Sequence, residues 1–435
     1  MGTDPHARRS TVPGQGIIDD LQARGLLHDS TDLATLRDRL DREPITLYAG
    51  FDPTADSLHI GHLVPLLLLR RFQDAGHRPI ALAGGATGMI GDPTGRSEER
   101  NLLDDQTLDQ NVRGISDQLS RFLDFDRQGN PAKLVDNRTW TQPVSAIEFL
   151  RDVGKFVTVN QMLSKESIKA RLASETGISY TEFSYMLLQA NDFRWLFEHE
   201  GCELQVGGSD QWGNITAGID LVRKALAGAA YGLTVPLVMR ADGTKFGKTA
   251  AGAVWLDPAR TSPYAFYQYW MQTDDRDLER FLLQMSMLPV AEVAEVIRMH
   301  GNAPERREGQ RRLAVEVTSL VHGEPAASDA ARASTGFTQA VADLTETEWA
   351  GLATELPATR LARHDFEGLD LIELLTVIGL ASSKGDARRT IDGGGVNLND
   401  VRQPASRPLS GADLLAGGYL LVRKGKKQRH IVIVE

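Results

Sequence analysis

The sequence predicts an α/β chain: a doubly wound parallel sheet, then a helical domain, then a small α+β unit. Three observations carry this. Up to about residue 255, short apolar runs of strand character alternate with stretches of helical period, the pattern of parallel strands joined by crossover helices. The glycine-rich and polar loops follow the strands, where such sheets bind ligands. Beyond residue 255 the strand signals stop, and they resume only near the end of the chain.

The elements follow in order. Ile17, Ile18, Leu21 and Leu33, Leu36, Leu40 recur three or four residues apart and predict helix within 17–43. Residues 45–51 (ITLYAGF) read as a buried strand, followed by the loop DPTADSLHIGH and an apolar helix around Leu66–Phe72. Residues 79–83 form a second strand that ends in GGATGMIGDPTG, and 133–137 a third. Residues 203–206 and 233–239 read as two more, with helix over 214–227 between them. Residues 256–346 alternate helical patterns (YAFYQYW, LERFLLQMSML, EVAEVIRMH, RRLAVEVTSLV) with short breaks and predict the helical domain. Residues 347–366, weakly periodic around Pro357, read as a linker. Residues 367–435 form the α+β unit: a helix over 369–378, the segment SKGDARRTIDGGGVNLND, and strands YLLV and HIVIV around a basic loop. The polar residues 1–16 are expected to be a mobile tail, so the first domain spans 17–255.

Composition bounds the function. Of 435 residues, 41% are hydrophobic and 24% charged, which excludes wholesale disorder and collagen-like or coiled-coil architecture. A single cysteine, Cys202, excludes an intrachain disulfide framework and any multi-cysteine metal site. The most apolar run, Leu63–Leu69, falls far short of the roughly 20 residues that cross a bilayer. Arg8-Arg9 precede no apolar stretch, so no export signal is expected and the protein reads as cytoplasmic. The net charge is −10, yet residues 365–435 hold ten basic and nine acidic side chains, leaving −11 on the rest. An acidic body repels a polyanion unless the contact surface is locally basic. Arg423, Lys424, Lys426, Lys427 and Arg429 supply such a surface within seven positions. Taken alone, the run is more plainly a solvated strand end.

Five constellations carry chemistry. His59-Ile60-Gly61-His62 opens a helix after a strand. A helix N-terminus offers unpaired N–H groups to an anion, and Gly61 lets a nucleotide approach the backbone. A turn with chance histidines fits the same spacing. Lys245-Phe246-Gly247-Lys248-Thr249 flanks a glycine with two lysines and can close over a polyphosphate; an exposed basic turn is the plainer reading. Tyr185, Gln189 and Asp192 fall at i, i+4 and i+7, which stacks a phenol, an amide and a carboxylate on one helix face beside Met186-Leu187-Leu188. Such a face suits a small polar ligand better than bulk solvent. Gly207-Gly208-Ser209-Asp210-Gln211 closes a strand in a form that suits a ribose or a structural loop. Gly91-Asp92-Pro93-Thr94-Gly95 is another polar loop, which turn chemistry alone explains.

Singly these signals are weak, but their order is specific. GFDPTADSLHIGH, GDPTG, TEFSYMLLQANDF, GGSDQWGN and ADGTKFGKT occur in the order found in bacterial tyrosyl-tRNA synthetases, and the chain resembles that family from about residue 17 onward. HIGH and KFGKT are similar to the two class I synthetase motifs, the second replacing the commoner KMSKS form. The resemblance implies a Rossmann-like catalytic domain with a dimer-forming insertion after residue 130, and a small C-terminal RNA-binding module that grips tRNA through Arg423, Lys424, Lys426 and Lys427. It implies that Tyr48 and Asp192 bind the substrate phenol. Asp92, Tyr185 and Gln189 would hold the α-ammonium, with Gln211 near the carboxylate. Gly50, Asp52, Pro53, Thr54, His59, Gly61 and His62 would meet ATP, and Gly208 and Asp210 its ribose. Lys245, Lys248 and Thr249 would form the phosphate loop, with Arg96 and Arg100 nearby. ATP, Mg2+, L-tyrosine and tRNA(Tyr) are the implied ligands, and a homodimer the implied assembly.

The implied reaction has two steps: the tyrosine carboxylate attacks the α-phosphorus of ATP, and the adenylate then yields its tyrosyl group to the terminal ribose of tRNA. A carboxylate is already ionised near neutral pH, so activation needs placement and charge relief rather than a base or a covalent enzyme intermediate. Phenylalanine would leave Tyr48 and Asp192 unpaired, which is costly in a buried site, and no additional domain suggests editing. Pro65 sits just past HIGH, where proline is tolerated only in a first helical turn, so the helix is expected to start late. Three rival readings are a tRNA-independent adenylyl- or nucleotidyltransferase, a non-catalytic RNA-binding relative, and a tryptophan enzyme. The basic C-terminal module, the intact HIGH and KFGKT loops and the Tyr48/Asp192 pair respectively weigh against them.

Overall fold

In a computed structural model of the chain, the residues described are 16–94, 104–173, 177–241, 243, 246–249, 252–336, 341–425 and 428–435. Residues 1–15 of the expected tail, and Arg96, Arg100, Lys245, Lys426 and Lys427, lie outside them. The chain packs as two compact units, one formed by residues up to Thr261 with Met271–Val321, the other by Ser262–Trp270 with His322–Glu435.

The first unit is built on five parallel strands: β1 (Thr46–Phe51), β2 (Arg78–Ala83), β3 (Lys133–Asp136), β4 (Cys202–Gly208) and β5 (Tyr231–Val235). Their order is β3-β2-β1-β4-β5, with every neighbouring pair parallel. Leu47, Tyr48 and Ala49 in β1 and Ile80 to Ala83 in β2 are all buried, as expected when helices cover both faces of a sheet. The chain winds outward from β1 to β3, then returns to place β4 on the other side of β1. The reversal opens a crevice beyond the carboxyl ends of β1 and β4, the place where doubly wound sheets bind ligands.

The expected helix over 17–43 is two helices, Ile17–Ala23 and Leu33–Arg42, broken at Gly25, whose φ is +63°. The HIGH segment forms a single 3-10 turn, Ile60–His62, and the α-helix starts at Leu63. Pro65 is therefore its third residue. The first four N–H groups of a helix have no intrahelical partner, so the proline costs no hydrogen bond and no kink is required.

The helices of 256–346 do not form a body of their own. Asp275–Met285 lies against the helix Leu63–Asp74 of the first unit. Its C-terminal turn and the loop that follows are clamped by buried arginines: Arg24 donates to the carbonyls of Leu283 (3.1 Å) and Leu288 (2.9 Å), and Arg71 to that of Ser286 (2.5 Å). Helical periodicity identifies an apolar face but not the surface that covers it. The stretch expected as a linker is also folded, as a helix (Glu346–Glu355) and a strand (Ala358–Leu361). Trp349 and Leu352 are buried with Leu421 and Ile431, and the strand pairs in parallel with Gln428–Val434 at the edge of a second five-stranded sheet.

Candidate active site

A cavity of about 530 Å³ opens at the β1/β4 crevice. Tyr48, Gly50, Asp52 and Thr54 reach it from β1 and the following loop; His59, Gly61 and His62 from the HIGH turn; Asp92 from the loop after β2. Tyr185, Gln189 and Asp192 come from the helix Tyr180–Glu200, and Gly208, Asp210 and Gln211 from the end of β4. Pro53 does not line it; its carbonyl accepts from Asn111 Nδ2 (3.0 Å).

One end is built for a neutral polar group. The Tyr48 hydroxyl is buried and has no hydrogen-bond partner among the described residues. Asp192 is buried beneath the same space, with Oδ1 accepting from Trp140 Nε1 (2.8 Å) and Oδ2 from Asn137 Nδ2 (2.9 Å). Burial pushes the Asp192 carboxyl up to about 7 even though both hydrogen bonds favour its charge. Burial, with Asp192 second, also raises the Tyr48 phenol. Such a pair can meet a ligand hydroxyl from both sides, the Tyr48 hydroxyl donating to it and the Asp192 carboxyl accepting from it.

A second end is acidic. Gln211 Nε2 donates to Asp92 Oδ2 (2.8 Å), and Gln189 Nε2 to Gln211 Oε1 (3.3 Å). Gln189 Oε1 is buried without a partner among the described residues. Tyr185 donates its hydroxyl to Asp52 Oδ2 (2.8 Å), and Thr87 donates to Asp52 Oδ1 (2.8 Å). Gly84 makes this possible, because a Cβ there would lie 2.2 Å from Asp52 Oδ1 and 2.4 Å from Thr87 Oγ1. Carboxylates and amide oxygens of this kind suit an ammonium group. Burial, with Asp92 second, raises Asp210.

The histidines cap each other's turn. Gly61 N donates to His59 Nδ1 (3.0 Å), and His59 N donates to His62 Nδ1 (3.1 Å). A ring nitrogen that accepts carries no proton, so each neutral ring holds its proton on Nε2. Burial, with His59 second, lowers His62 to about 3. The KFGKT backbone lies on this turn: a Cβ on Gly247 (φ +83°) would stand 3.1 Å from Ile60 Cγ1, and Phe246 lines the cavity. Lys248 and Thr249 pair with Gly252–Ala253 in a short antiparallel ladder.

In the second unit, Arg423 pairs with Asp400 (2.5 Å), and Lys424 donates to the Leu380 carbonyl (2.8 Å) and to Asp386 (3.3 Å). Two cations of the expected basic patch are thus engaged by their own unit.

Sequence reasoning missed Thr87, Asn137, Trp140 and Gln205. Asn137 directly follows β3 and bridges Asp192 to Thr87 Oγ1 (3.1 Å); the rule that sites lie past strand ends would have found it. Gln205 pairs in register with Tyr48 and lines the cavity, but lies inside a strand that reads only as core.

Two family profiles match the chain: tRNA synthetases class I (W and Y) over residues 40–339, and the tyrosine–tRNA ligase SYY-like C-terminal domain over 348–432. The tyrosine–tRNA ligase of Opitutus terrae is 55% identical over 420 residues, 96% of this chain and 99% of that protein. That of Geobacillus stearothermophilus is 50% identical over 419 residues, with the same shares. Among solved structures, a C-terminally truncated mitochondrial tyrosyl-tRNA synthetase of Aspergillus nidulans superposes with a TM-score of 0.68 at 30% identity, covering 74% of this chain and 94% of that one.

Proposed function

We propose residue roles from one premise: this chain belongs to the tyrosine–tRNA ligases, within the class I tRNA synthetases. It is an enzyme that activates L-tyrosine with ATP and transfers the tyrosyl group to the 3′ end of tRNA(Tyr). The observation that carries the assignment of roles is the buried Tyr48 hydroxyl, without a hydrogen-bond partner among the described residues, facing the same cavity as Asp192 and the HIGH turn.

The substrate phenol fits between Tyr48 and Asp192, donating to the carboxylate and accepting from Tyr48. Phenylalanine would leave both groups buried and unpaired. The α-ammonium fits among Asp92, Tyr185 and Gln189, with Gln211 beside the carboxylate that attacks phosphorus. His59 and His62 present Nε2–H donors toward ATP from the helix N-terminus, with Thr54 alongside; Asp52 and Gly50 border the nucleotide and Asp210 its ribose. Lys245 and Lys248, with Thr249, neutralise the leaving pyrophosphate, since phosphoryl chemistry of this kind is accelerated by positioning and charge relief. Among the described residues no three His, Cys, Asp or Glu side chains lie together as a metal cage. Mg2+ enters with ATP, carried on its phosphates as part of the substrate, its usual mode.

A homodimer is supported by exposed apolar side chains concentrated in one stretch: Val144, Ile147, Leu150, Val159, Leu163 and Tyr180. A cytoplasmic site of action follows from tRNA as substrate, and no helix among the described residues is long and apolar enough to cross a membrane. Amino-acid-dependent ATP–pyrophosphate exchange tests the activity: tyrosine alone is expected to support it, and label is expected to pass stably to tRNA(Tyr). Exchange driven best by tryptophan, or none at all, would overturn the reading.

A further inference from the structure

We infer that Trp195 is a positioning residue for tyrosine selectivity: it fixes the plane of the Trp140 indole and thereby aims the Nε1–H that holds Asp192. The inference rests on the assignment of Asp192 to the substrate phenol. Trp140 and Trp195 stack with ring centroids 4.2 Å apart and planes 11° from parallel. His199 covers the other face of Trp195 at 4.4 Å, also at 11°. The His199 ring is in turn tied to the Trp195 carbonyl at 3.0 Å. Trp140 sits on a helix of one turn, Arg138–Thr141, and its Nε1–H supplies one of the two hydrogen bonds on Asp192.

An indole N–H lies in the ring plane, so its direction is set once that plane is set. Asp192, Trp195 and His199 occupy positions i, i+3 and i+7 of the helix Tyr180–Glu200, which puts them on one face. Donor and acceptor are thereby referenced to the same rigid helix: Asp192 directly, Trp140 through the stack. Without the flat face of Trp195, the indole gains freedom to tilt, and Asp192 loses a donor that favours its charged form. The ammonium and ATP contacts are not involved.

The test compares Trp195→Leu, which keeps apolar volume but not the flat face, with Trp195→Phe, which keeps the flat face. In pyrophosphate exchange, Trp195→Leu is expected to raise KM for tyrosine and lower the tyrosine/phenylalanine ratio of kcat/KM by about five- to tenfold, the worth of an aromatic stack. KM for ATP should stay within about twofold, and Trp195→Phe should recover most of the loss. Should Trp195→Leu fail to fold, Trp195→Met takes its place with the same outcomes. Unchanged selectivity in the folded variant, alongside lost selectivity in Asp192→Asn, would overturn the role of Trp195. Unchanged selectivity in both would overturn the phenol assignment, and this inference with it.

Discussion

The hydroxyl of Tyr185 donates to Asp52 at 2.8 Å, so the side chain proposed for the amino acid's ammonium is bonded directly to the one proposed for ATP. In the proposed assignment the two substrates meet across a shared hydrogen bond. Tyr185→Phe removes a bond to a carboxylate, worth about 1.5–3 kcal/mol, and takes one of its donors from Asp52, which Thr87 still holds at Oδ1. It is expected to raise KM for tyrosine by about tenfold or more and to weaken ATP as well. Steady-state exchange with each substrate varied in turn checks this; an effect confined to tyrosine would break the link.

Asp192→Asn should lower activity with tyrosine and blur its preference over phenylalanine. It should also change the pH dependence of stability. The Asp192 carboxyl lies at about 7 in the folded protein because of burial, above the ordinary value near 4 of an unfolded aspartate. Between those values the folded state binds the extra proton. The stability linked to Asp192 is present below about pH 4 and lost as pH rises through about 7. Thermal unfolding of the ligand-free protein across that window should show this decline in the parent and a shallower one in Asp192→Asn.

Asp20 is buried between two buried arginines. It accepts from Arg24 Nε at 2.9 Å and stands 3.8 Å from Arg71 NH1. Burial, with Arg24 second, lowers Arg71 to about 9. Asp20→Ala removes the carboxylate that two buried cations share and is expected to cost about 3–5 kcal/mol. Urea denaturation measures it, and the tyrosine/phenylalanine ratio of the surviving folded enzyme should not move.

Ile147, the second residue of the apolar stretch, is 73% exposed. Ile147→Asp places a charge in the proposed subunit contact and should shift the protein toward monomer in light scattering behind size exclusion. A parental mass at micromolar concentration would remove Ile147 from the contact.

Much of the first unit was legible because parallel strands are apolar throughout and each is punctuated by a polar loop. The HIGH histidines and the Tyr185–Gln189–Asp192 face were readable because their chemistry follows local spacing. The support beneath them was not. Asn137 and Trp140 reach Asp192 across more than fifty positions of sequence, and no local period announces such a contact. The folded stretch around Trp349 reads as linker because its partners, Leu421 and Ile431, lie far along the chain. The helix Asp275–Met285 was found by its periodicity, but its attachment within the first unit depends on Arg24, just past the helix Ile17–Ala23, and Arg71, on the helix Leu63–Asp74.

The two imidazoles of the HIGH turn have given their inner nitrogens to the backbone. His62 cannot take up a proton there without breaking its bond to His59 N, and burial already holds its ring far below the usual imidazole range. That ring is thus committed to donating outward, as a fixed part of the wall rather than a titrating catalyst.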